Sequence, residues 1–336
     1  MTTSSAIDIH THIVPAHFPA YAGRHTNVRW PQMAAGSDCR HCNVMIAGKV
    51  FRTVTDECWS IDRRLEAMAK SRVARQVLSP MPELLSYWLA PEDALTLGRH
   101  INDTIADMVG EGGGRFAGLA TVPLQDPDLA ARELELLMRS GKFRGVEIGT
   151  NVNGVSIGDA RFEPFFHVAE ELGAAIFVHA LHPSGTDRLI GPAGLPALVA
   201  FPCETAFAIA SLMTGGILAR HPKLKIAFSH GGGVFGLVLP RLMHGWKTIP
   251  ALADHVRESP AEQARKLFYD TLVYDPATLA FLIERFGVTQ LCVGTDHPFT
   301  IQELDPVGPV EALGLNERDR DLLLFGNAAR FLGESS

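Results

Sequence analysis

The sequence predicts an α/β fold, a (β/α)8 barrel of the TIM type with a small β-containing insertion after the first strand. Three observations lead there. From residue 61 onward, short apolar runs alternate with amphipathic stretches, the pattern of strands separated by helices. Eight strand-like runs occur, the number that closes a parallel sheet into a barrel. Four of these runs end in histidine or aspartate, at the strand end where such barrels place their active sites.

The first strand is Ala6-Ile7-Asp8-Ile9-His10-Thr11-His12, apolar and β-prone. Residues 15–58 interrupt the alternation with prolines, glycines, Trp30 and three of the cysteines. Within them the run 44–47, Gly48 and the run 49–52 predict a hairpin. The insertion is long enough to cover one end of the fold. A helix is expected over 61–70, with Leu65 and Met68 on one face, then a strand over 73–78. The helix 91–109 opens with Pro-Glu-Asp, a favourable start, and a strand follows at 116–124. Asp126-Pro127 caps a helix over 128–140. Strands at 145–150 and 174–179 flank a helix at 161–172. The remaining helices are expected at 204–220, 236–245, 276–286 and 317–332, and the remaining strands at 225–230, 267–272 and 290–295. No linker or internal repeat divides the chain, so one domain is expected across residues 1–336.

Composition narrows the function. The 336 residues are 46% hydrophobic and 20% charged, enough for a sizeable core. A formal net charge of −7, with no basic run, argues against a nucleic-acid partner. The opening Met1-Thr2-Thr3-Ser4-Ser5 lacks the basic and apolar regions of a secretory signal. The longest apolar runs, such as 174–180, are expected to fall short of a bilayer span, so no membrane partner is expected. Five scattered cysteines, an odd number, read as reduced thiols of a cytoplasmic protein. Cys39 and Cys42 form a C-x-x-C pair, but no second close ligand pair accompanies them to hold structural zinc.

The strand ends carry the chemistry. His10 and His12, at i and i+2, project from one face of the first strand. His179 ends Ile176-Phe177-Val178, and His230 ends Ile226-Ala227-Phe228-Ser229 before three glycines. Asp296 ends Val293-Gly294-Thr295. A buried strand favours Val or Ile, and an unpaired buried imidazole or carboxylate is costly. Any one of these residues could be a satisfied core side chain. Four strands ending this way at one barrel mouth point to a metal site.

The constellation resembles that of the amidohydrolase superfamily, over nearly the whole chain. The strings Ser229-His230-Gly231-Gly232-Gly233, Gly294-Thr295-Asp296-His297-Pro298-Phe299, Gly326-Asn327-Ala328 and Val122-Pro123-Leu124-Gln125 sharpen the likeness. So do residues 49–52 and 202–205. Together they look like the branch of 2-amino-3-carboxymuconate 6-semialdehyde decarboxylase and the γ-resorcylate and 5-carboxyvanillate decarboxylases. The resemblance implies a metal-dependent, non-oxidative decarboxylase of a small unsaturated or aromatic carboxylic acid, using metal-activated water and a histidine acid/base. A metal-dependent hydrolase of a C–N, C–O or C–C bond is the alternative, because a shared barrel does not fix the reaction. A non-catalytic binding barrel is disfavoured by the complete ligand set.

The implied ligands of one divalent metal are His10, His12, His179 and Asp296, with zinc expected and manganese allowed by the donors. Strand four ends Val146-Glu147-Ile148-Gly149-Thr150, without the lysine that bridges two metals in dinuclear members. His230 is the implied acid/base. A substrate carboxylate calls for a guanidinium fork, for which Arg52 and Arg241 are candidates, with Lys49 as a supporting cation. In the family the arginine at the position of Arg241 reaches the neighbouring subunit's site, implying a homodimer or higher homo-oligomer. Two departures from the branch fall at the substrate pocket: His182 stands near the usual place of a tryptophan, and His297 where tyrosine is more frequent. Glu204 is read either as a partner of the site or as a helix N-terminal charge.

Overall fold

The computed structural model describes residues 6–334; the opening segment 1–5, read above for a secretory signal, lies outside them. Strand β1 (Ala6–Ile13) begins the barrel. The insertion folds as a separate antiparallel sheet of β2 (Gln32–Ala35), β3 (His41–Ile46) and β4 (Lys49–Thr55). The barrel resumes with β5 (Val73–Pro80), β6 (Phe116–Ala120) and β7 (Phe143–Gly149). A short ribbon, β8 (Asn151–Val152) and β9 (Val155–Ser156), precedes β10 (Ala175–His179), β11 (Lys225–Phe228), β12 (Phe268–Asp270) and β13 (Leu291–Cys292).

The eight barrel strands pair in parallel in the order β1-β5-β6-β7-β10-β11-β12-β13. Backbone bonds join the last strand region to the first. Ile9 N–H donates to the Val293 carbonyl (2.9 Å), Asp296 N–H to that of His10 (2.9 Å) and His12 N–H to that of His297 (2.7 Å). The eighth strand therefore reaches the first at the level of the histidines.

Helices between the strands start where the side chains allow. Ser60 accepts from Arg63 N–H ahead of the Ile61–Lys70 helix, and Asp126 from Leu129 N–H ahead of Pro127–Arg139. Asp275 does the same for Thr278 N–H ahead of Pro276–Phe286. Each satisfies a backbone donor that the first helical turn leaves free. Inside the barrel, Ile9, Val77, Leu119, Phe177 and Phe268 form a buried cluster. Phe331 of the closing helix joins it, 5.5 Å from the Phe268 ring between centroids. This packing fills the strands' N-terminal half and leaves the C-terminal mouth for chemistry.

Several elements differ from expectation. The expected hairpin exists as β3–β4, turning at Ala47 (φ 52°) and Gly48 (φ 72°), but β2 adds a third strand. The helix expected at 204–220 starts earlier: a π-helical turn, Pro196–Ala200, runs into Phe201–Thr214. Left-handed Gly216 (φ 73°) then starts a short helix, Ile217–Arg220. The 19 residues Pro196–Thr214 are long and apolar enough to cross a membrane, which corrects the expectation that all apolar runs fall short. Here the helix packs Thr205, Ala208, Ile209, Leu212 and Met213 inward.

Candidate metal centre and substrate cavity

The ligand atoms of His10, His12, His179 and Asp296 all lie within 4.8 Å of one another, and all four residues are buried. His10 Nε2 is 3.1 Å from His12 Nε2 and 3.4 Å from Asp296 Oδ1, and His12 Nε2 is 3.1 Å from the same oxygen. A tetrahedral zinc site with bonds of roughly 2.0–2.1 Å has donor–donor edges of roughly 3.3 Å. The other ring nitrogens show which lone pairs face the centre. His10 Nδ1 lies 2.6 Å from Asp270 Oδ2, His12 Nδ1 2.9 Å from the Pro80 carbonyl and His179 Nδ1 2.8 Å from the Ala180 carbonyl. Each partner accepts the Nδ1 proton, so each neutral ring turns its Nε2 lone pair inward.

The electrostatics agree. His179 Nε2 and Asp296 Oδ1 are buried without a hydrogen-bond partner, a costly arrangement that a cation between them would relieve. Burial pushes His12 down to about 4 and His179 well below the usual imidazole range. Burial favours the neutral form of Asp296, but the His10 and His12 rings beside it hold it well below the usual carboxylate value. Burial lowers His10 too, but Asp270 and Asp296 outweigh it and raise the ring to about 10. A proton and a metal ion would compete for that Nε2. The donor set fits one divalent ion.

A cavity of about 210 Å³ opens beside this cluster, with His179, His230 and Asp296 in its wall. His230 is not among the four convergent ligands; its ring centroid lies 5.1 Å from that of His179 and 5.4 Å from that of His10. Its Nδ1 is buried and unpartnered, and burial, then the charge on His10, lowers its pKa. Arg52, half-buried on β4, lines the same cavity with its guanidinium 4.3 Å above the Phe299 ring. Phe299 stacks in turn on His12, 5.1 Å between centroids. The insertion thus brings a cation to the mouth through an aromatic spacer.

His182 also lines the cavity, its Nε2 3.1 Å from Glu83 Oε2. Three other residues singled out in the sequence lie elsewhere. Lys49 is exposed at the β3–β4 turn, outside the cavity wall. His297 is buried, with Nδ1 3.0 Å from Gln302 Oε1 and Nε2 3.7 Å from Glu57 Oε2, beside a separate polar hollow. It forms a parallel bridge with Thr11 and lies outside the cavity wall that Asp296 joins. Arg241 is exposed on the Phe235–Thr248 helix, in an apolar groove of about 700 Å³ with Phe207 and Leu242.

The amidohydrolase family model matches residues 7–333. The chain belongs to the amidohydrolase family. This amidohydrolase is 38% identical to 2-amino-3-carboxymuconate-6-semialdehyde decarboxylase of Dictyostelium discoideum, over 98% of this chain and 92% of the relative. Among solved structures, IDCase of Metarhizium anisopliae superposes with a TM-score of 0.83 at 22% identity, covering 98% of this chain and 97% of that one, a likeness of fold. The 5-carboxyvanillate decarboxylase of Sphingomonas paucimobilis gives a TM-score of 0.74 at 27% identity, over 81% and 83% of the chains.

The amidohydrolase site also uses residues that sequence reasoning passed over. Asp270, at the end of β12, accepts from His10 Nδ1 and from His230 N–H (3.0 Å) with Oδ2, and from Gly231 N–H (2.7 Å) with Oδ1. One carboxylate therefore sets both a ligand candidate and the His230 turn. Its signal was weaker than that of Asp296, because Leu272 and Val273 carry the apolar run past it and only the structure ends the strand there. Gly294 makes this closeness possible, since a Cβ there would stand 2.6 Å from that of Asp270 and 2.9 Å from that of His10. Arg64, fully buried in the first helix, donates from Nη2 to the His12 carbonyl (2.5 Å) and from Nη1 to Thr11 Oγ1 (3.3 Å), bracing the His-x-His backbone. Glu147 on β7 is hydrogen-bonded to the Ser79 hydroxyl, and burial pushes its carboxyl up to about 8. Glu204 accepts from Asn151 Nδ2 and Ser184 N–H, so it clamps the loop after β10. His230 (φ 56°) and Asp296 (φ 63°) are held in the left-handed region, the kind of strain that accumulates at functional sites.

Proposed function

We propose that this amidohydrolase is a metal-dependent, non-oxidative decarboxylase of a small unsaturated or aromatic carboxylic acid, closest in activity to 2-amino-3-carboxymuconate 6-semialdehyde decarboxylase. The observation that carries the proposal is the meeting, in one cavity, of the buried ligand set with His230 and the guanidinium of Arg52. The 38% identity to such a decarboxylase along 98% of the chain supports it. Zinc suits the three imidazole donors, and manganese is the competing ion. Held by His10, His12, His179 and Asp296, the ion would supply a Lewis acid that activates water and polarises a substrate oxygen.

The chain's own groups account for the rest. Arg52 grips a substrate carboxylate, and Phe299 and Phe201 give the cavity apolar walls that exclude water. Loss of CO2 breaks a C–C bond and leaves its electron pair on the substrate, where a proton must arrive. His230 holds and moves that proton, standing beside the ligand cluster with an unpartnered ring nitrogen. The catalytic unit is proposed to be a homodimer. The exposed Phe207, Val238 and Ile249 line an apolar groove that also holds Arg241, a face suited to a second copy.

The test is a screen of muconate-type and hydroxybenzoate acids for CO2 release by the metal-loaded protein. CO2 release supports the proposal; a substrate cut into two organic pieces without CO2 would replace it with hydrolysis. On the best substrate, Arg52→Ala is expected to raise KM about 10–100-fold, the loss of one charge-assisted contact, with metal content unchanged. Steady-state kinetics with metal analysis checks this.

A further inference from the structure

We infer that Glu83 and His182 form a specificity-determining pair at the cavity mouth, selecting acids whose far end carries a hydrogen-bond donor and rejecting those with a second anion there. The inference rests on the decarboxylase proposal for the identity of the substrate, but not for its geometry.

Glu83 lies on the 3-10 turn Pro82–Leu85 that follows β5, and His182 on the loop that follows β10. Their 3.1 Å contact ties two loops of the barrel together beside the cavity that both residues line. The tie is built, not incidental. His182 is held at φ 42°, a backbone conformation that non-glycine residues adopt at a cost of about 1–3 kcal/mol. The loop is fastened on both sides of it. Leu181 donates its N–H to Thr150 Oγ1 (3.1 Å) and accepts from Asn151 Nδ2 (2.7 Å), and Ser184 donates to Glu204 Oε2 (3.2 Å). Glu83 lines the cavity with a side chain only 11% exposed.

The chemistry follows from what each wall can offer. An ionised carboxylate only accepts hydrogen bonds, and a guanidinium only donates them. Arg52, stacked on Phe299, makes one wall cationic, and Glu83 makes another anionic. A substrate carboxylate is drawn to the Arg52 wall and repelled by Glu83. At the Glu83–His182 wall an amino or hydroxyl group completes the acceptor, whereas a methyl ether leaves it unmatched and a carboxylate meets like charge.

The experiment uses metal-loaded full-length enzyme and 2-hydroxybenzoates bearing amino, hydroxyl, methoxy or carboxylate at C4 or C5. Calorimetric Kd and CO2 release are both measured. The wild type should bind the better amino or hydroxyl member about 10-fold more tightly than its methoxy counterpart. Glu83→Leu should flatten that preference, read as the ratio of the methoxy Kd to the amino or hydroxyl Kd. Glu83→Gln should relieve the exclusion of the carboxylate member. His182→Asn, which tolerates the left-handed backbone, should weaken the preference through a less fixed Glu83. Glu83→Leu retaining the wild-type order of affinities, or no measurable binding by any member, would overturn the inference. Preferences that follow Glu83 without CO2 release from any acid would sustain the pair and overturn the decarboxylase proposal instead.

Discussion

Replacing His230 with alanine is expected to lower turnover by about 10²–10⁴-fold, the usual contribution of a positioned proton-transfer group. Metal content should stay at the wild-type level, because His230 lies outside the four convergent ligands. KM should change little, since the Arg52 wall is untouched. These outcomes separate a proton role from a ligand role. A variant that loses its metal would make His230 a ligand, and one that keeps full turnover would remove it from the chemistry. Single-turnover CO2 release by metal-quantified protein provides the measurement.

Asp270→Ala is expected to do more than either side chain it serves would suggest. It removes the acceptor of His10 Nδ1–H, freeing that ring to rotate or change tautomer, and should weaken metal affinity by about 10–100-fold. It also removes the anchors of the His230 and Gly231 amides. Saturating metal can restore occupancy but not the position of the His230 turn, so kcat should remain depressed. Asp270→Asn keeps an acceptor of the same shape and should fall between. Metal titration followed by kinetics at saturation tests both halves. Full recovery of kcat with added metal would confine Asp270 to orienting His10.

How much of this was legible in the sequence depends on how local each feature is. His10, His12, His179, His230 and Asp296 stood out because each ends an apolar run. The structure brings them to one mouth, four as a convergent cluster and His230 in the adjoining wall. Asp270 lacks that signal, because the apolar run continues through Leu272 and Val273 and only the structure ends the strand at the acid. His297 follows Asp296 directly, yet it lines the polar hollow with Glu57 and Gln302 rather than the metal-site cavity, because the left-handed backbone at Asp296 breaks any alternation that the sequence could show. Lys49 shares a short strand with Arg52, yet only Arg52 reaches Phe299, a contact set by how the insertion folds over the barrel. The strand β2, Gln-Met-Ala-Ala, has little β propensity of its own and forms by pairing with β3. The Glu83–His182 contact joins positions 99 residues apart, and no periodicity reveals such a pairing.

Metal stoichiometry is the measurement on which the site stands. Protein purified without chelator, analysed by elemental mass spectrometry beside its His179→Ala and Asp296→Ala variants, should carry one divalent ion per chain. The variants should carry far less while keeping the far-ultraviolet circular dichroism of the wild type. A wild-type protein without bound metal, or variants that retain the full complement, would contradict the account.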